Sequence, residues 1–288
     1  LALVGGFNQV QHLCNGFLPQ NDLKIPVTGI RSGGLSQEQF NKILDKLEKY
    51  YTPIVAAKGG NYHVNRLWED ETVNASADRQ GKIWNLNMYG GLARYSSLGE
   101  DGYLLVGCHE TGHHLGGAPK SSGWNSSSWA SNEGEADYYS TLRCMRYILQ
   151  NEDNVGYVNS HPVDLVLRQS CESAYADVNA QSICIRSGMA AMNVAMIFHD
   201  LKKDAELPNF NTPDPAQVTE TDDSHPATQC RLDTYYQAAI CVHEAKTELS
   251  DSDYHVGTCT DESLSGVRPR CWFLPNSSLQ TLAPQASR

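Results

Sequence analysis

Residues 107–137 read GCHETGHHLGGAPKSSGWNSSSWASNEGEAD, and no other stretch restricts the fold as strongly. Within it His109-Glu110-Thr111-Gly112-His113 has the form H-E-x-x-H. On a helix, side chains four apart lie one above the other, so His109 and His113 face the same way with Glu110 beside them. An acidic cluster at helical spacing, Glu133-Gly134-Glu135-Ala136-Asp137, begins twenty positions beyond His113. For the two groups to act together, the chain must turn back and set a second helix against the first. Gly107 and Gly112 suit that arrangement, because a residue without Cβ leaves room for another element to approach.

Two neutral imidazoles one turn apart can hold a Zn²⁺ ion, and an adjacent carboxylate can take a proton from water. A catalytic zinc site of this kind has three protein ligands and an open position. Glu133 is the candidate third ligand. Glu135 points elsewhere around the helix and ranks below it. Asp137, one turn on from Glu133, is expected to accept the second ring N–H of a ligand histidine and fix its tautomer. The longer pattern H-E-x-x-H-x-x-G-x-x-H fails, since Gly116 is in place but Pro119 stands where the last histidine belongs. His114 neighbours His113 and cannot join the same facial set, so it reads as a packing or rim residue. Two other readings stay open: a helical histidine pair with a purely structural role, and a closed site in which His114 or a cysteine supplies a fourth ligand.

A net charge of −11 argues against a nucleic-acid surface. Apolar residues make up 40% of the chain, as in ordinary globular proteins. The most apolar long stretch, 189–198, contains Asn193 and falls short of the ~18 residues of a membrane helix, so no integral membrane segment is expected. The nine cysteines lack C-x-x-C spacing and suggest disulfides and an oxidising compartment. Six of them fall in close pairs along the chain: Cys171/Cys184, Cys230/Cys241 and Cys259/Cys271. Cys108 reads as a buried packing residue, about 100° around the helix from His109. An odd count leaves at least one thiol over, and Cys14 is a conceivable cap on the metal. The expected location is extracytoplasmic, periplasmic or secreted, after removal of an N-terminal signal.

Along the chain, residues 1–34 read as an irregular arm, 35–249 as the main domain and 250–288 as an irregular tail held by disulfides. Ser36 is a candidate N-cap for a helix to Tyr51 with an apolar stripe at Phe40, Ile43, Leu44 and Leu47, ended by Pro53. Ile54–Ala57 and Tyr62–Leu67 are expected as short strands around a Lys58–Asn61 turn. In 82–89 Trp84, Leu86 and Met88 alternate with Asn85, Asn87 and Tyr89, a strand with one buried face. As an edge strand its residues Trp84, Asn85, Leu86, Asn87 and Met88 would hold an extended peptide; an internal strand with no substrate role is the alternative. The metal helix is expected from about Glu100 to Gly116-Gly117, then a loop pinned by Trp124 and Trp129, then a helix from about Ser131. Further helices are expected near 162–176 and 182–201, and a last one from Pro226 to about Thr247.

H-E-x-x-H followed by E-x-x-A-D resembles the gluzincin metallopeptidases, and specifically the M48 family. Three more segments occur in that family's order: Asn74-Ala75-Ser76-Ala77 (N-A-x-A), the acidic lead-in 98–104, and Ser224-His225-Pro226 with Arg231-Leu232 (S-H-P-x-x-x-x-R-[IL]). Together they span roughly residues 35–245. The resemblance implies an α+β, zincin-like fold, mostly helical, with a small antiparallel or mixed sheet whose edge strand borders the cleft. It implies one catalytic Zn²⁺ on His109, His113 and Glu133, and a zinc-dependent endopeptidase acting on protein or peptide substrates. It also implies that His225, with Arg231, lines the site and stabilises the oxyanion. From the residues alone, His225 is a capping or surface histidine at a helix start. The short connector between His113 and Glu133, the missing membrane helices and the cysteine pairs depart from the family pattern. An inactive zincin-like protein that binds or chaperones a partner is the competing expectation.

Overall fold

The computed structural model describes residues 16–29, 34–121 and 128–275. It is α+β, about 46% helical, with one mixed three-stranded sheet. The elements are α1 (Gln37–Ala57), β1 (Asn61–Leu67), β2 (Ala75–Gln80), β3 (Ile83–Tyr89), α2 (Gly90–Ala93), α3 (Glu100–Leu115) and α4 (Glu133–Tyr139). A π-helical turn, Ser140–Cys144, carries α4 into α5 (Met145–Leu149). Then follow α6 (Asn154–Asn159), α7 (Leu165–Ala174), α8 (Val178–Lys202) and α9 (Thr228–Ile240).

Helix α1 starts at a capping box in which the Ser36 hydroxyl takes the Gln39 N–H and the Gln39 side chain takes the Ser36 N–H. It does not stop at Pro53, and Ile54–Ala57 is its last turn rather than a strand. The reason lies in the stripe: Phe40, Ile43, Leu44 and Leu47 continue into Tyr51 and Val55, all buried. Burying Tyr51 and Val55 offsets the ~3 kcal/mol that an internal proline typically costs.

The strand order is β1-β3-β2. β3 pairs in parallel with β1 and antiparallel with β2. Its backbone is therefore taken on both sides, which corrects the expectation of an edge strand at 82–89. The alternation itself holds, since Trp84, Leu86 and Met88 are buried among apolar neighbours. On the other face Asn87 donates to Ser76 and Asp78, and Asn85 to Asp78. β2 is the edge beside α3. Ala75 directs its N–H and C=O away from β3, toward the Asn74 side chain and Phe17. By the two-residue period, the backbone groups of Ala77 and Arg79 face the same side, away from β3.

Helix α3 is the centre of the molecule. Every residue from Asp101 to His114 is buried, which explains why its apolar residues form no single stripe. It packs on α1, α4, α8, β2 and β3. Where α4 crosses it, a Cβ on Gly112 would stand 2.9 Å from the Ala136 backbone, so glycine is what permits the approach. Likewise a Cβ on Gly107 would meet Leu47 at 2.4 Å.

Four disulfides close the fold: Cys108–Cys144, Cys171–Cys184, Cys230–Cys271 and Cys241–Cys259. Only Cys171–Cys184 follows proximity along the chain. Cys230 lies on α9 and Cys241 caps it. Eleven helical steps separate them by about 16 Å, beyond the ~7 Å Cα limit for a bridge. Each therefore pairs with the tail. Cys108 is buried, as expected, but it is bonded to Cys144 and ties α3 to the π-helical turn. Two further corrections concern helices. α9 begins at Thr228 and ends at Ile240, short of Thr247, where the Cys241 bridge turns the chain away. α6, capped by the Asp153 carboxylate, had no apolar periodicity to announce it. Cys14 and Trp124 lie outside the described residues. Among those described, no helix is long and apolar enough to cross a membrane.

Candidate metal centre

Helix α3 supplies His109, Glu110 and His113; α4 supplies Glu133 and Asp137. Asn132 sets the start of α4, its side-chain oxygen accepting the Glu135 N–H, so that Glu133 lies in the first turn beside α3. The Nε2 atoms of His109 and His113 are 3.1 Å apart. Glu133 Oε2 lies 3.3 Å from His109 Nε2, and its Oε1 3.8 Å from His113 Nε2. One donor atom from each of the three residues falls within 4.8 Å of the others.

The other ring nitrogens are committed. His109 Nδ1 donates to Asp137 at 2.7 Å, and His113 Nδ1 donates to the Ser131 carbonyl at 2.9 Å. Both imidazoles thereby turn their Nε2 atoms to a common point, where two lone pairs and a carboxylate need a cation or a proton between them. Burial holds the His113 pKa down at about 4, so this ring is neutral. Burial opposes the proton on His109 too, but Asp137 and Glu133 outweigh it and raise that pKa to about 9. Burial would raise Glu133, yet the imidazoles of His113, His109 and His225 hold it well below the ordinary carboxylate range. The donor set and its anchoring fit a divalent cation.

Glu110 is fully buried, and neither carboxylate oxygen has a hydrogen-bond partner among the described residues. Burial pushes its pKa up to about 8, with the His109 charge opposing. A buried carboxyl without a partner costs stability, and one tuned near neutral pH is suited to taking and returning a proton.

His225 sits in the turn ahead of α9. Its Nε2 is 3.3 Å from Glu133 Oε2 and donates to the Gly16 carbonyl at 2.8 Å. Arg231 reaches the centre from α9. It is completely buried, and its Nε and Nη2 grip Asp137, each at 2.7 Å. It fixes Asp137, and through it the His109 ring, while its Nη1 donates to the Phe17 carbonyl at 2.9 Å. Tyr235, one turn further along α9, also donates to Asp137. That residue was missed, although its i,i+4 relation to Arg231 is visible in the sequence. Two other partners carry no such signal: the Ser131 carbonyl on His113, and Phe17, whose ring meets His109 edge-on at 4.9 Å.

His114 takes no part in the ligand set. It stacks between Trp84 and Trp129 and is held by Arg79 and the Asn85 carbonyl, a packing role. Trp84, Leu86 and Met88 are core residues, and Asn85 and Asn87 belong to the polar face of the sheet. None of the five is placed to hold a peptide by backbone pairing. Among the described residues, the two other sets of potential ligand atoms, around Cys241/Cys259 and Cys230/Cys271, consist largely of sulfurs already in disulfides. Compared with protein-family models, curated proteins and solved structures, the chain finds no match in any of the three.

Proposed function

We propose that the chain is a zinc-dependent endopeptidase of the M48-like gluzincin type, with a zincin-like arrangement of α3, α4 and the sheet. The observation that carries this reading is the convergence of His109 Nε2, His113 Nε2 and Glu133 beside a buried Glu110 carboxylate without partners. Two imidazoles and a carboxylate are a catalytic zinc set, and His109, His113 and Glu133 would hold the ion. Bound there, zinc would supply Lewis acidity toward a peptide carbonyl and toward water.

The chain's own groups do the rest. Glu110 takes a proton from the attacking water and delivers it to the departing amide nitrogen. His225 donates its Nε2 hydrogen to the carbonyl oxygen as negative charge develops there, a contribution of about 2.7–4 kcal/mol. Asp137, clamped by Arg231 and Tyr235, keeps the His109 ring in register. The side of β2 turned away from β3, with the backbone groups of Ala77 and Arg79, receives the substrate in extended form. This replaces 82–89 as the peptide-binding strand. The four disulfides fit an oxidising, extracytoplasmic compartment.

Glu110→Gln tests the reading. It leaves the three ligands untouched and removes the proton acceptor. The expected result is one zinc per chain as in the unaltered protein, with peptide hydrolysis lowered by ~10²–10⁴. Full hydrolysis by the variant would overturn the proposed chemistry.

A further inference from the structure

The segment Gly16–Leu18 meets the metal centre in an unusual way. All five polar backbone atoms from the Gly16 carbonyl to the Leu18 carbonyl are taken by residues of the centre or of the β2 edge. The Gly16 carbonyl accepts from His225 Nε2 at 2.8 Å, and that nitrogen is 3.3 Å from Glu133 Oε2. The Phe17 N–H donates to the Ala75 carbonyl on β2 at 2.8 Å. The Phe17 carbonyl accepts from Arg231 Nη1 at 2.9 Å. The Leu18 N–H donates to Asn74 Oδ1 at 2.9 Å, and the Asn74 amide donates back to the Leu18 carbonyl at 3.2 Å. Beyond Leu18 the segment runs antiparallel to residues leading into β2, with an antiparallel bridge between Lys24 and Thr72. A peptide can add to a sheet edge through such backbone pairing.

The side chains agree. Phe17 is fully buried in a pocket between His109, Phe198 and the Arg231 guanidinium, with the two ring centroids at 4.9 and 5.3 Å. Gly16 has φ +98°, and a Cβ there would lie 2.7 Å from the Asn74 amide, so only glycine fits. Of this segment's carbonyls, it is the Gly16 oxygen that lies against the histidine assigned to stabilise an oxyanion.

We infer that Gly16–Leu18 is seated as the centre's own substrate, with Gly16–Phe17 the bond presented for hydrolysis. The Phe17 pocket is then the one that selects a large apolar side chain just after the bond to be cut. The inference rests on the peptidase reading above. Water adds to the Gly16 carbonyl carbon and its proton passes to Glu110. The C–N bond breaks with the electron pair going to the Phe17 nitrogen, which receives the proton. The second water proton passes from the new Gly16 carboxyl group to the Phe17 amine, leaving a Gly16 carboxylate and a new ammonium terminus at Phe17. Until it is cut or displaced, the segment competes with any other peptide for the β2 edge.

The test uses the full chain loaded with one equivalent of zinc and follows intact mass with N-terminal sequencing. The same sample is offered a disordered polypeptide. The expected result is a first-order appearance of a chain beginning at Phe17, at a rate unchanged over a tenfold range of protein concentration and absent in Glu110→Gln. Phe17→Leu keeps the cut, and Phe17→Asp slows it by at least about tenfold, with helix content checked by circular dichroism. A readout independent of turnover is amide exchange in the metal-free chain. The Phe17 and Leu18 N–H groups are expected to exchange at least about a hundredfold more slowly than in an unfolded peptide. An intact Gly16–Phe17 bond in a sample that hydrolyses the added polypeptide would overturn the inference and leave the peptidase reading standing. No hydrolysis of either, with zinc bound, would overturn both.

Discussion

Replacing Asp137 by asparagine probes how α4 and α9 jointly support the centre. Asp137 and Arg231 are each 0% exposed, and two 2.7 Å contacts join them. Taking the charge from one partner leaves the guanidinium buried and uncompensated, which typically costs about 3–5 kcal/mol. The asparagine oxygen can still accept the His109 Nδ1 hydrogen, so the ring keeps its tautomer but loses the negative charge behind it. Loss of such an outer partner typically weakens metal binding about 10–100-fold, and the retained hydrogen bond places the expected loss nearer tenfold. The two effects separate experimentally: stability from urea unfolding of the metal-free chain, affinity from zinc competition against a chelating dye. Adding Arg231→Met to Asp137→Asn removes the orphaned charge. The double variant is expected to regain at least about half of the lost stability while its zinc affinity stays low. If Asp137→Asn unfolds within about 1 kcal/mol of the unaltered chain and binds zinc within about threefold, the clamp has no such role.

Other consequences follow from the same packing. Gly112→Ala puts a Cβ 2.9 Å from the Ala136 backbone, so α4 must retreat from α3. The expected loss is about 1–3 kcal/mol in denaturant unfolding together with weaker zinc binding, and a variant that keeps both would show the contact to be slack. Opening Cys108–Cys144 as a double serine variant frees a loop of 36 residues, and chain entropy predicts a loss of about 4 kcal/mol, measurable by urea titration. Asp233 offers a pH test distant from the metal. Burial raises its pKa to about 6 against the hydrogen bonds from Asp214 and Gln229. An acid raised in the folded chain binds its proton more tightly there, so its contribution declines as pH rises from about 4 to about 6 and stays unfavourable above. Asp233→Asn is therefore expected to raise stability by about 1–3 kcal/mol at pH 7.5 and leave it nearly unchanged at pH 4, by thermal unfolding. Equal effects at the two pH values would contradict that sign.

What could be read before the structure was local. A four-residue spacing sets His109 over His113 on any helix, and the same rule carries Asp137 one turn past Glu133. The alternation in 82–89 identified a strand with one buried face. Its place in the sheet was not legible, because order depends on which neighbours pair with it, and β1 and β2 took both sides of β3. Cysteine proximity misled at Cys230 and Cys241 because a rigid helix holds them apart. Pro53 misled because the buried stripe through Val55 outweighs a single missing hydrogen bond. The least legible part was the most consequential for the site. Gly16, Phe17 and Asn74 reach the centre only through tertiary contacts, and Arg231 had a motif position but no sign that it would turn inward to Asp137.

The central claim is that one metal ion on His109, His113 and Glu133 enables peptide-bond hydrolysis. Its most direct test is to strip the chain with a chelator and return zinc stepwise. Hydrolysis of a disordered polypeptide, or of the Gly16–Phe17 bond, is measured at each step. The account predicts no cutting without metal and a rate that rises linearly to a sharp break at one zinc per chain. Cutting that persists in the stripped chain, or tight binding of one zinc with no cutting of either bond, would contradict it.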